Sequence, residues 1–232
     1  MTDSPTNPQA DLASHSEQDT RQRLLDAAGR VFADQGFRDA TVREICSLAG
    51  VNIASVNYHF RDKQGLYREV IQYAASEALT KYPPGGGVTE RAEPEERLRA
   101  FIQNYLNRLL DEGRPAWHGM LIAREMVQPT AVLDELAQTF VRPQYLRVRG
   151  IVTDLLQDAA TDDRVRFCTC SVVSQCLFYK NCRPIIERVM PEHRYDADTR
   201  GRLAEHIATV CIAGIEAVRL AATGDVMKGG AG

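Results

Sequence analysis

The chain has 232 residues, a formal net charge of −3, 44% hydrophobic and 25% charged residues. That composition is ordinary for a soluble globular protein and allows one medium domain or a small domain joined to a larger one. It excludes a uniformly basic nucleic-acid binder, and no uninterrupted apolar run reaches the roughly 18 residues of a membrane span.

Residues 1–19 (MTDSPTNPQADLASHSEQD) have four acids, no base and no apolar stretch, so they read as a disordered tail and not a secretion signal, which implies a cytoplasmic protein. From Thr20 to Ala222 apolar residues recur three and four apart and no segment alternates like a strand, so the expected class is all-α. Thr20 is the expected N-cap of a first helix with Leu24, Leu25, Ala28, Val31 and Phe32 on one face, closed by Gln35-Gly36. Thr41, with Glu44 three positions on, starts a short second helix whose inward residues are Val42, Ile45, Leu48 and Ala49.

Gly50 breaks that helix. Val51 follows, and Asn52 can cap a third helix through Tyr58. Asp62 caps a fourth with Leu66, Val70, Ile71 and Ala74, which stops before the loop at 82–92, where two prolines and three glycines follow Tyr82. Further helices are expected near 93–112, 117–127, 130–158, 162–189 and 197–222, with Pro143 and Pro184 interrupting two of them.

Residues 20–73 resemble the DNA-binding domain of the TetR (tetracycline-repressor) family. The resemblance rests on Phe32 and Gly36, Thr41-Val42-Arg43-Glu44-Ile45, Ala49-Gly50-Val51, and Tyr58-His59-Phe60 with Lys63 and Leu66, in that order. It implies a three-helix helix-turn-helix domain at 20–66, a helical effector-binding and dimerisation domain at 67–222 and a flexible tail at 223–232. The family often has an aromatic at the position of Asn57, whereas here the first aromatic is Tyr58. Around Ala123-Arg124-Glu125-Met126 and Pro129-Thr130 the chain is also similar to the CecR-like subgroup.

A recognition helix places small and polar side chains against base edges in the major groove, and its flanks against phosphates. Asn52, Ala54, Ser55, Asn57 and Tyr58 suit the groove, while Thr41, Arg43, Tyr58, His59 and Lys63 suit the backbone. The resemblance further implies a repressor that binds a pseudo-palindromic operator as a homodimer and is released by a small-molecule effector. Leu203, Ile207, Val210, Cys211, Gly214, Ile215 and Val218 form an apolar stripe for the dimer helix.

Candidate effector residues combine apolar bulk with isolated polar groups: Phe101, Tyr105, Trp117, Met120, Arg124, Tyr145, Gln175 and Phe178. Arg124 either pairs with a neighbouring acid or awaits an anionic ligand. Cys168, Cys170, Cys176 and Cys182 crowd one helix, but Cys168 and Cys170 point some 160° apart on a continuous helix, which favours core packing over soft-metal or redox sensing. A Gly-rich phosphate loop, a nucleophile elbow and metal-ligand spacing are absent from the sequence, so neither enzymatic activity nor a cofactor or metal is expected. A helical protein-interaction module and a thiol- or metal-sensing regulator are the alternatives.

Overall fold

The computed structural model describes residues 8–111, 115–192 and 194–229. Among the described residues it is all-helical, and the elements fall in two compact units, Met1–Ala75 with Pro115–Leu136, and Ser76–Arg114 with Ala137–Gly232.

The first unit begins with α1 (Pro8–Asp39), so Thr20 lies within the helix and does not cap it, and 8–19 form a helical extension where a disordered tail was expected. Residues 1–7 lie outside the described residues. Pro8 is tolerated because the first turn needs no N–H from it. Gly36 breaks the regular geometry at φ 83°, which is where the Gln35-Gly36 signal placed the end of the first helix. Thr41 then caps α2 (Val42–Ala49), its hydroxyl accepting from the Glu44 N–H at 3.2 Å, while the Glu44 carboxylate accepts from Gln35 Nε2.

Gly50 ends α2 at φ 65°, in the left-handed region that favours glycine, with its N–H on the Cys46 and Ser47 carbonyls. α3 (Ala54–Phe60) and α4 (Lys63–Lys81) follow, the latter capped by Asp62 Oδ1 accepting from the Gly65 N–H at 2.7 Å. Leu24, Leu25, Ala28, Phe32, Ile45, Val56, Leu66, Val70 and Ile71 are buried, and Phe32 meets Tyr67 edge to face at 4.9 Å. Leu48 does not join them. It is 55% exposed, and Cys46 takes the inward place on α2.

The first unit runs through Ala75, past the boundary expected at residue 67, and also takes in α6 (Ala116–Val127) and α7 (Val132–Leu136). A Cβ on Gly29 would fall 2.5 Å from the Trp117 indole, so the missing side chain on α1 is what lets α6 approach.

In the second unit α5 (Pro94–Leu110), α8 (Arg142–Leu156), α9 (Asp162–Asn181) and α11 (Ala197–Gly229) surround one core. Each contributes one stripe at helical spacing: Leu98, Ile102 and Leu106; Val148, Val152 and Leu156; Val165, Val172 and Cys176; Leu203, Ile207, Cys211 and Ile215. Both prolines interrupt helices as expected. Pro143 sits in the first turn of α8 after a π-helical turn (Ala137–Val141), and Pro184 opens α10 (Arg183–Val189) after the break at Cys182. α11 runs through 223–229, which were expected as tail; 230–232 lie outside the described residues. By length and composition Ala197–Thr223 is apolar enough to cross a membrane, against the expectation from uninterrupted runs. Its inward stripe nevertheless belongs to the core of the second unit.

Candidate nucleic-acid interface

The turn between α2 and α3 is built by backbone and short side chains. Val51 N–H donates to the Cys46 carbonyl at 3.0 Å, and Asn52 Oδ1 accepts from the Ala54 N–H at 2.9 Å, so Asn52 holds the entry to α3 one residue ahead of its cap position. Val56 and Phe60 are buried beneath, and the guanidinium of Arg21 lies 5.5 Å from the Phe60 ring centroid.

With Val56 and Phe60 turned inward, Ala54, Asn57 and Tyr58 stand exposed along α3, Ile53 and Arg61 are exposed at its two ends, and Ser55 and His59 are half-buried. Thr41 and Arg43 are exposed at the start of α2. Tyr58 is 71% exposed, crosses His59 edge to face at 4.9 Å, and donates from its hydroxyl to Glu17 on the α1 extension at 3.3 Å. The Lys63 ammonium donates to the Arg38 carbonyl at 3.2 Å and lies 4.9 Å from the Phe37 ring centroid. The short helix α3 thus presents small and polar side chains at Ala54, Asn57 and Tyr58, a chemistry compatible with a major groove.

Residues 24–70 match the family described as bacterial regulatory proteins, tetR family, and residues 94–215 match the C-terminal domain of the HTH-type transcriptional dual regulator CecR. The chain belongs to the TetR family. Its C-terminal domain is of the CecR type. The chain is 26% identical over 168 residues to the dual regulator CecR of Shigella flexneri, covering 69% of this chain and 75% of that protein. It is 39% identical over 104 residues to the regulator AcrR of Shigella flexneri, covering 42% and 45%. Among solved structures, a TetR-like transcriptional regulator from Rhodococcus sp. RHA1 shares the fold at a TM-score of 0.57 and 20% identity, covering 84% of this chain and 96% of that one. AibR in complex with isovaleryl coenzyme A and operator DNA shares it at 0.61 and 16%, covering 82% and 97%. The chain is thus a DNA-binding transcriptional regulator of TetR architecture.

The eight residues expected to line a TetR effector pocket are divided between the two units. Trp117, Met120 and Arg124 lie on α6 in the first unit, and Phe101, Tyr105, Tyr145, Gln175 and Phe178 lie in the second. Trp117 is buried against Gly29, Met120 is 52% exposed, and Phe178 is 52% exposed. Arg124 Nη2 donates to the Asp34 carbonyl at 2.7 Å, where α1 breaks at Gly36 and its last carbonyls need donors.

Phe101 and Tyr105 stack at 5.6 Å in the core of the second unit, and burial pushes the Tyr105 phenol up to about 12. Sequence reasoning missed Arg108, one turn further along α5. It is buried and donates to the Tyr82 carbonyl at 2.6 Å and to Gln144 Oε1 at 2.8 Å, with its guanidinium 5.3 Å from the Tyr105 ring centroid. Gln175 Nε2 reaches Cys211 Sγ at 3.4 Å, a pairing between α9 and α11 that the crowding of cysteines on α9 had hidden. As the helical geometry required, Cys168 is buried and Cys170 exposed. Burial pushes Cys176 up to about 12 and Cys211 up to about 11, away from the thiolate that metal or oxidant would need. Among the described residues no three His, Cys, Asp or Glu side chains form a metal-binding group.

Proposed function

We propose that the protein is a homodimeric, cytoplasmic repressor that holds two α3 helices on a pseudo-palindromic operator and is released when a small molecule binds its second unit. The observation that carries the dimer is the second face of α11. Beside the buried stripe, Val210, Ala213, Gly214 and Leu220 are exposed, and a Cβ built on Gly214 meets nothing within 4 Å. A long apolar helix with a small-residue face allows close approach of a second helix. A palindromic operator in turn needs two reading heads about 34 Å apart.

The effector reading is supported by a fold shared with a regulator crystallised with an acyl-coenzyme A and operator DNA. Within the second unit, Tyr105, Tyr145 and Gln175 are half-buried side chains beside the core that a ligand would have to engage. A ligand that favours a different spacing of the reading heads shifts the population away from DNA.

Selection of duplexes from a random pool by the purified protein, with sedimentation of the complex, tests the reading. A pseudo-palindrome bound by two chains is expected, with affinity falling steeply as salt rises. The Val210→Glu variant should sediment as a monomer and lose the palindrome. A monomeric wild-type protein, or a selected site without two-fold symmetry, would overturn the dimer.

A further inference from the structure

The outward face of α3 is polar or small at Ala54, Asn57 and Tyr58, and at its head stands one large aliphatic side chain. Ile53 is 47% exposed, although the neighbouring apolar residues of the motif, Val56 and Phe60, are buried. Its backbone is already helical at φ −56°, and its carbonyl accepts from the Val56 N–H at 3.1 Å, so the side chain is fixed in direction by the first turn of the helix. An exposed isoleucine elsewhere on a protein calls for no explanation. Here it lies among the groups that face DNA.

We infer that Ile53 reads the 5-methyl group of a thymine in the major groove and so sets one base pair of each operator half-site. This rests on the regulator reading above. Apart from the small C5–H of cytosine, the groove edge of a G·C pair offers hydrogen-bonding groups: N7 and O6 of guanine and the amino group of cytosine. Isoleucine can satisfy none of them, and covering them would strip their water without return. The thymine methyl is the apolar group in the groove, and burying it against a branched aliphatic side chain is favourable. Asn57 is one turn on from Ile53 on the same face, about 6 Å along the axis, and asparagine is the side-chain type that pairs bidentately with adenine. The two residues together specify thymine and adenine within about two base pairs of each other, at 3.4 Å of rise per pair.

The test removes only the methyl. Once a symmetric operator has been selected, each symmetry-related pair of thymines is replaced by deoxyuridine, and binding is measured for the wild type, Ile53→Ala and Ile53→Val. At one pair the wild type should lose about 15-fold in affinity, corresponding to about four-fold for each buried methyl. Ile53→Ala should bind the thymine operator about as weakly as the wild type binds the deoxyuridine one, and should distinguish the two less than about two-fold. Ile53→Val, which retains a branched apolar end, should fall between them and guards against a local defect in the alanine variant.

Deoxyuridine operators bound undiminished at every position, or a thymine preference that survives in Ile53→Ala, would overturn the role of Ile53 while leaving the regulator intact. A pool that yields no preferred sequence would overturn the regulator reading, and this inference with it.

Discussion

Asn57 and Tyr58 are neighbours in sequence, both exposed, and have different expected effects on DNA binding. Asn57 carries a donor and an acceptor on a short arm and can recognise a base edge. Tyr58 reaches further, ends in a single hydroxyl, and donates it in the free protein to the Glu17 carboxylate. Asn57→Ala should therefore cost about 10- to 100-fold on the preferred operator and little on non-selective DNA. Tyr58→Phe should weaken both by the same smaller factor. Titrations against an operator and a scrambled duplex at one salt concentration decide it, and equal losses for Asn57→Ala on the two would remove Asn57 from base readout. At this scale the sequence was informative about chemistry and poor about direction. Asn52, Ala54 and Asn57 could be named because their residue types suit a groove. Isoleucine is a residue type that suits a core, and only its 47% exposure in the fold separates Ile53 from the buried Val56 and Phe60.

Between single residues and the whole chain, α6 shows what kind of signal a sequence carries. Its ends, its apolar spacing and its similarity to the CecR-like subgroup were all readable, but its partner was not, since periodicity says which face is buried and nothing about what covers it. The quoted residues Glu125 and Thr130 are joined by a local network. Glu125 is fully buried and accepts from the Tyr67 hydroxyl at 2.6 Å, the Thr130 N–H at 2.7 Å and the Thr130 hydroxyl at 2.9 Å, tying α6 to α4 and to the turn before α7. Burial, followed by the bond to Glu125, holds the Tyr67 phenol well above the usual tyrosine range. Glu125→Ala leaves those buried donors without an acceptor and should lower stability by about 3 kcal/mol. Glu125→Gln retains one acceptor and should cost less. Because Tyr67 and Glu125 share one network, Tyr67→Phe combined with Glu125→Ala should cost less than the two measured separately. Urea unfolding of the four proteins checks this, and strict additivity would show that the carboxylate does not depend on Tyr67.

For the molecule as a whole, helix content and the two interrupting prolines were legible because each has a local cause. The division into units was not, since it depends on a glycine in α1 accepting a tryptophan from α6 far along the chain. Nor was the thiol environment of the second core, where α9 and α11 bring Cys176 and Cys211 together with Tyr105 from α5. These buried groups make stability depend on pH in a defined direction. Their ordinary values are 9.0 for the thiols and 10.0 for the phenol, and burial raises Cys211 to about 11 and both Cys176 and Tyr105 to about 12. For Cys176 the neighbouring Cys211 adds to the rise and the Arg108 charge opposes it. From about pH 9 to pH 12 the unfolded chain releases protons that the folded one keeps, so the unfolded state binds fewer protons and the stability of the fold declines as pH rises through that window. At neutral pH both states hold these protons and the contribution is complete. Melting temperature should therefore be flat from pH 7 to 8.5 and fall progressively above it. Replacing the thiol by an alkyl group of similar size in Cys176→Val should make the fall shallower between pH 9 and 12. Parallel curves for the wild type and Cys176→Val would mean that the Cys176 thiol ionises as freely in the fold as in the unfolded chain, and would restore it as a candidate for thiol chemistry.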